Sequence, residues 1–227
     1  MRQTITLVLF ACFAVMQVNA QTTTQPQPMP GFSEKDMKKM KPSNGIKVGY
    51  NYAMLKGSTK GFSPSSTNGF MVGAFFSPKK SKGLGYRSEI VFSRQGFSFD
   101  ESGKMQDVTQ DYIYMTHLTT YTIADRVQLQ LGGQFGYLLN AKKSSAPAGS
   151  SDAMMEYMNR FDYGLVGGVE VKIISGLFIG ARYNVSMGNM FKNSTSNPTQ
   201  MPFPLPYNPA DIKGKNAVAQ FFIGFKF

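Results

Sequence analysis

The sequence predicts an all-β protein, an eight-stranded antiparallel up-and-down transmembrane β-barrel with short periplasmic turns and long extracellular loops. Three observations predict it. From about residue 45 onward, apolar side chains alternate with small or polar ones at period two, segment after segment. The connections between these segments are alternately short and long. Beyond the N-terminal leader, no apolar run approaches the roughly 20 residues that a spanning helix needs. A membrane passage must then be made by strands, closed so that every backbone group is paired.

The leader comes first. Arg2 gives a positive start, Ile5 to Val18 is mostly apolar, and Val18-Asn19-Ala20 offers a small-residue cleavage site. Residues 1–20 therefore read as a signal peptide, which predicts Sec-type export, cleavage near Ala20 and delivery to the cell outer membrane. Leu9-Phe10-Ala11-Cys12 carries part of a lipoprotein box, but Phe10 fits it poorly. Cys12 is the only cysteine of the chain, so the exported part forms no disulfide and offers no thiolate ligand or nucleophile. Residues 21–44 begin Gln-Thr-Thr-Thr-Gln-Pro-Gln-Pro-Met-Pro-Gly, which cannot bury apolar surface and reads as a flexible periplasmic linker. Ser33 can cap a short helical turn reaching Met40.

The formal net charge is +11, with Lys35, Lys38, Lys39, Lys41, Lys79, Lys80, Lys82, Lys142 and Lys143 in the linker and in expected loops. An exported chain does not meet nucleic acid. These lysines read as solubilising, with anionic lipid or surface polysaccharide as the next choice of counterpart.

Residues 45–227 form the barrel, with strands expected near 45–55, 68–77, 84–95, 110–123, 127–139, 161–174, 177–187 and 216–227. In the first, Ile46, Val48, Tyr50, Tyr52 and Met54 oppose Lys47, Gly49, Asn51 and Ala53. In the fifth, Leu129, Leu131, Phe135 and Tyr137 oppose Gln128, Gln130, Gln134 and Gly136. The sixth and seventh alternate as clearly, whereas the second and fourth are blurred. The last strand sets Ala219, Phe221, Ile223, Phe225 and Phe227 on one face and Val218, Gln220, Phe222, Gly224 and Lys226 on the other.

Short connections fall at Pro78 to Gly83, Ala124 to Arg126 and Ser175-Gly176, and long ones at about 56–67, 96–109, 140–160 and 188–215. A soluble lipocalin-like barrel would turn its apolar face inward and cover its outside with charge. Here the polar face is rich in Gly, Gln, Asn and Ser and poor in charge, which suits a narrow packed lumen. Tyr50, Tyr52, Tyr86, Tyr112, Tyr137, Tyr183 and Phe227 fall toward strand ends, as interface girdles do.

The chain resembles the PorT-like outer-membrane β-barrel proteins of Bacteroidetes-type bacteria. The likeness rests on Arg87-Ser88-Glu89-Ile90-Val91-Phe92-Ser93-Arg94-Gln95-Gly96, supported by Gly132-Gly133-Gln134-Phe135-Gly136-Tyr137-Leu138-Leu139, Phe161-Asp162-Tyr163-Gly164 and Ala181-Arg182-Tyr183-Asn184. It departs from the family at Tyr112-Ile113-Tyr114-Met115-Thr116, where a proline is usual. The resemblance implies a barrel architecture and partners among envelope or secretion-system proteins. The face formed by Phe221, Ile223, Phe225 and Phe227 likewise resembles the signal by which the outer-membrane insertion machinery takes up such barrels.

Charges on the expected lumen face are Arg87, Glu89, Asp162, Glu170, Lys172 and Arg182. A charge in a narrow lumen is costly unless paired, so Glu89 or Glu170 is expected to meet Arg87 or Arg182 as an ion-pair plug. Eight strands leave an interior just filled by side chains, which argues against conduction. The one histidine, His117, lacks a nucleophile and an acid at any recognisable spacing, so no catalytic residue is assigned. Met154, Met155, Met158, Met187, Met190 and Met201 read as adaptable contact surface before copper ligands. No cofactor or metal is expected. The expectation is a monomeric barrel, set in outer-membrane lipid, with a structural or interaction role in the envelope. Transport of a small solute or hydrophobic compound is the alternative, and a lipid-modifying enzyme the third reading.

Overall fold

The computed structural model describes residues 42–58, 64–78, 83–101, 103–123, 126–144, 155, 157–192 and 213–227. Eight strands follow one another: β1 (Ser43–Ser58), β2 (Ser65–Ser77), β3 (Leu84–Glu101), β4 (Lys104–Ile123), β5 (Val127–Lys143), β6 (Phe161–Lys172), β7 (Leu177–Ser186) and β8 (Lys213–Lys226). Each pairs antiparallel with its neighbour, and β8 pairs with β1 to close the barrel. The expected leader and the linker up to residue 41 lie outside the described residues.

Period-two alternation becomes two surfaces. Lys47, Asn51 and Ala53 of β1 turn inward, while Ile46, Val48, Tyr50 and Tyr52 turn out. Phe221, Ile223, Phe225 and Phe227 lie exposed on the outward face at the end of the chain, with the Phe225 and Phe227 rings 5.6 Å apart. Exposed apolar side chains cover the outer wall of all eight strands, and buried polar ones line the interior. This inverts the distribution of a water-soluble domain.

The blurred strands have identifiable causes. In β2 the ladder to β3 slips between Ser66 and Met71, so an irregularity breaks the period. In β4 the inward face carries Tyr112, Tyr114 and Leu118, while Asp111 and His117 lie on the other, so polarity is mixed on both sides. Tyr112 is thus not a girdle residue. It is buried in the lumen, its ring stacked on that of Tyr114 at 5.3 Å.

The expected long connection at 96–109 is a second correction. β3 and β4 continue pairing to Glu101 opposite Lys104, and Gly103 turns the chain at φ 81°. The hairpin extends because alternation persists there, sending Phe97, Phe99 and Val108 inward to full burial. The connection expected at 56–67 is a third correction, because β1 runs to Ser58 and β2 starts at Ser65, which leaves it no longer than the turn between β2 and β3. The long connections before β6 and before β8 remain, and they meet in a bridge between Met158 and Phe191. The short turns and the two ends of the β1–β8 seam at Gly45 and Lys226 share one end of the barrel.

Candidate functional site in the barrel lumen

The lumen is built from inward positions on all the strands, and it is filled in layers. Nearest the short turns lies an ionic layer. Arg87 of β3 donates from Nη1 to Glu170 Oε2 at 2.6 Å and from Nη2 to Gln128 Oε1 at 2.7 Å. Arg182 of β7 donates to both carboxylate oxygens of Glu89 at 2.5 and 2.7 Å, a bidentate fork that matches carboxylate geometry. Lys47 Nζ binds Glu89 Oε2 at 2.6 Å, and Lys226 Nζ binds Glu170 Oε1 at 2.5 Å. Gln130 donates to Glu170 at 2.9 Å and accepts from Arg182, so the Glu170 carboxylate is hydrogen-bonded beyond its ion pairs.

Four cations face two carboxylates in this layer, and aromatic rings take up the difference. Arg87 lies 4.4 Å from the centroid of the Phe75 ring, Lys47 and Arg182 lie 4.8 and 5.0 Å from that of Phe222, and Lys226 lies 4.7 Å from that of Phe178. The negative faces of these rings attract the excess positive charge. Each ring sits opposite a glycine across the sheet: Phe75 opposite Gly45, Phe178 opposite Gly224, and Phe222 opposite Gly180. A Cβ at any of these glycines would collide with the ring. Inward glycines are therefore the space in which the lumen rings lie.

Above the ionic layer, Asn51 donates to Ser93 Oγ at 2.9 Å and accepts from Gln220 at 3.0 Å. A void of about 10 Å³ is lined by Tyr114, Thr116, Gln134, Asn184 and Gln220 among others, room for one water at most. Asn184 Oδ1 is buried beside it without a partner. Next, Tyr114 donates its hydroxyl to Asp162 Oδ2 at 2.8 Å, and Ser186 donates to the same oxygen at 2.6 Å. At the long-loop end, Phe97, Phe99, Leu138, Met155, Met158, Met190 and Phe191 close the lumen as one buried apolar cluster.

The sequence-derived charges thus divide. Arg87, Glu89, Glu170 and Arg182 come together in one network. Asp162 lies in the lumen in a separate layer, bound by hydroxyls. Lys172 shares the inward parity but stands exposed at the end of β6, so it is not a packed lumen charge. Sequence reasoning missed Lys47 and Lys226 as members of the network, although parity alone puts both on the polar face. Met155, Met158 and Met190 point into the barrel, while Met187 is exposed, and Met154 and Met201 lie outside the described residues. Among the described residues no group of three or more His, Cys, Asp or Glu can hold a metal ion.

His117 faces outward, directly opposite Ser88. Its Nδ1 lies 2.5 Å from Tyr86 Oη and 3.1 Å from Ser88 Oγ. No carboxylate is hydrogen-bonded to its ring among the described residues, and both strands spend their amides on the ladder.

A comparison with curated proteins finds no match. Among solved structures, Ail, the attachment invasion locus protein of Yersinia pestis, is 19% identical with a TM-score of 0.46, covering 83% of this chain and 100% of that one. Neisserial surface protein A is 13% identical with a TM-score of 0.48, covering 82% and 97%. OprG of Pseudomonas aeruginosa is 13% identical with a TM-score of 0.46, covering 83% and 97%. The family model for the outer membrane protein beta-barrel domain matches residues 19–192, most of the chain. A closed eight-stranded barrel with an apolar wall and a polar interior, matched over that length, belongs to the outer membrane protein beta-barrel domain family and resides in the lipid of the outer membrane.

Proposed function

We propose that this protein is a closed, monomeric barrel with a structural or interaction role in the cell envelope. It engages its partners through the loops of the long-loop end, which face outside when the short turns face the periplasm. The observation that carries this reading is the filled lumen: among the described residues an ionic layer, a one-water void and an apolar cap lie in series. Eight strands leave an interior just wide enough for side chains to fill, as they do here. The reading includes PorT-like membership, with envelope or secretion-system proteins as partners. It also includes export by the leader of residues 1–20, the linker of residues 21–44, and uptake by the insertion machinery through the outward face of Phe221, Ile223, Phe225 and Phe227. No enzymatic activity is assigned.

Planar-bilayer recording tests the reading. The full chain is expected to be electrically silent and to pass neither small solutes nor hydrophobic compounds into liposomes. Sustained conductance or uptake would overturn it in favour of transport. Cross-linking in intact cells is expected to recover specific envelope proteins.

A further inference from the structure

Three ladders change within a few residues of one row of the wall. The β2–β3 ladder stops at Met71 opposite Ser93 and resumes only at Ser66 opposite Phe97, so residues 67–70 face residues 94–96 out of register. In that row Arg94 of β3 lies directly opposite Asp111 of β4. The β4–β5 ladder shifts at the same aspartate, passing from Tyr112 opposite Leu138 to Asp111 opposite Asn140, with Leu139 as the extra residue. The β5–β6 ladder ends just below, at Tyr137 opposite Phe161.

Three strands continue past this line. Residues 95–101 of β3, 104–110 of β4 and 140–143 of β5 pair with one another as a small sheet. Among the described residues, its registered pairs with β2 are two, Ser65–Ser98 and Ser66–Phe97, and it has none with β6. Its inner side carries Phe97, Phe99 and Val108 of the apolar cap, all buried.

The gap between β2 and β3 is bridged by a side chain from β1. Buried Asn51 donates from Nδ2 to the Phe70 carbonyl oxygen at 3.0 Å and to the Arg94 carbonyl oxygen at 2.8 Å, one on each side of the gap. Gln220 of β8 donates to Asn51 Oδ1 at 3.0 Å and holds the amide in that orientation. Gly69 passes close to β3, where a Cβ would stand 2.1 Å from the Arg94 carbonyl oxygen. A side-chain bond thus stands where ladder rungs are lost. Proteins open locally where the fewest interactions must be broken.

We propose that the three-stranded sheet is a hinged flap over the apolar cap, bending at the Arg94–Asp111 row and latched by Asn51. Swinging outward, it parts two backbone pairs from β2 and turns Phe97, Phe99 and Val108 toward the outside. Apolar surface at the long-loop end is then offered only in the open state. Arg87, Glu89, Glu170 and Arg182 all lie below the hinge line, so opening uncovers a surface and leaves the ionic layer closed.

Cysteine accessibility in lipid nanodiscs tests this, on the full chain carrying C12S so that introduced thiols are the only ones. A charged maleimide is expected to label V108C slowly, and to leave L118C, a fully buried position below the hinge line, unlabelled over the same time. N51A is expected to speed labelling of V108C roughly tenfold, the effect of losing hydrogen bonds to two carbonyl groups, without exposing L118C. G69A, whose added Cβ pries the gap apart, is expected to act in the same direction. Ser65 and Ser98 are directly opposite, within disulfide reach. Oxidised S65C/S98C is therefore expected to stop labelling at position 108, read by peptide mass, and reduction to restore it. The heat-dependent gel shift shows that each variant is folded, and G69A and the disulfide decide the matter if N51A does not fold. Labelling of V108C no faster than that of L118C, unchanged by N51A and G69A, or persisting in the oxidised variant would overturn the proposal. None of these outcomes depends on which partner the barrel meets or on whether it conducts.

Discussion

Arg182 on β7 and Glu89 on β3 stand on opposite walls of the ring, 93 residues apart in sequence, and are joined by two hydrogen bonds of 2.5 and 2.7 Å. The bond spans the lumen, so it ties together strands that share no ladder. Removing one partner of such a pair leaves a buried charge uncompensated, which costs far more than the pair contributes. Glu89→Gln is expected to destabilise the barrel by about 3–5 kcal/mol, read as an earlier midpoint in urea unfolding from detergent micelles. An unchanged midpoint would mean that water solvates this layer.

The ion pair between Arg94 and Asp111 provides the contrast. Its geometry is as good, at 2.7 and 3.0 Å, but the Arg94 side chain is 43% exposed. Asp111 is buried, but the charge that Asp111→Asn leaves behind is the exposed Arg94, which solvent can take up, so the change should cost about 1 kcal/mol or less. The same unfolding experiment separates the two sites. A loss equal to that of Glu89→Gln would show that the β3–β4 wall, and not burial, governs ion-pair strength here.

Two glycines make a matched pair of tests. A Cβ on inward Gly168 would stand 2.5 Å from the Ala181 carbonyl oxygen and from Arg182 Cγ, so Gly168→Ala must displace the arginine that holds Glu89. Overpacking of this kind costs about 1–3 kcal/mol. On the outer wall, the nearest atom to a Cβ on Gly133 is 3.7 Å away, and Gly133→Ala should be neutral within about 0.5 kcal/mol. Thermal gel-shift midpoints report both.

The apolar cap invites a fourth measurement. Phe97 is fully buried beside Phe99 and Phe191, with ring centroids 6.2 and 6.4 Å away. Phe97→Ala should cost about 3–5 kcal/mol through the cavity it leaves. The barrel should nevertheless stay silent in planar bilayers, because the ionic layer below still closes the lumen. Current through this variant would locate the only closure in the cap.

Much of the fold is legible from side-chain period. Lys47 and Ile46 differ by one residue and therefore face opposite ways, whatever the rest of the chain does. The same rule puts Glu89, Arg87, Glu170 and Arg182 on one surface. It cannot rank them against Lys172, which has the right parity but lies where β6 leaves the packed interior. Tyr112 shows the other limit: a tyrosine near a strand end suits a girdle or a lumen, and its face follows from the pairing of β4 with both neighbours. The hairpin at residues 96–109 reads as a loop in sequence because its polar residues hide an alternation that only the cap makes meaningful.

Strand number, the inward and outward sets, and the apolar wall followed from the sequence by itself, because a strand's alternation is local and needs no partner to be read. Which inward residues touch was decided only by tertiary structure. Closing β8 on β1 fixes the stagger of the whole ring, and that stagger brings Arg182 to Glu89, Arg87 to Glu170, and rings over Gly45, Gly180 and Gly224. The same closure sets Lys56 against Lys215, two charges 159 positions apart that nothing in the sequence relates.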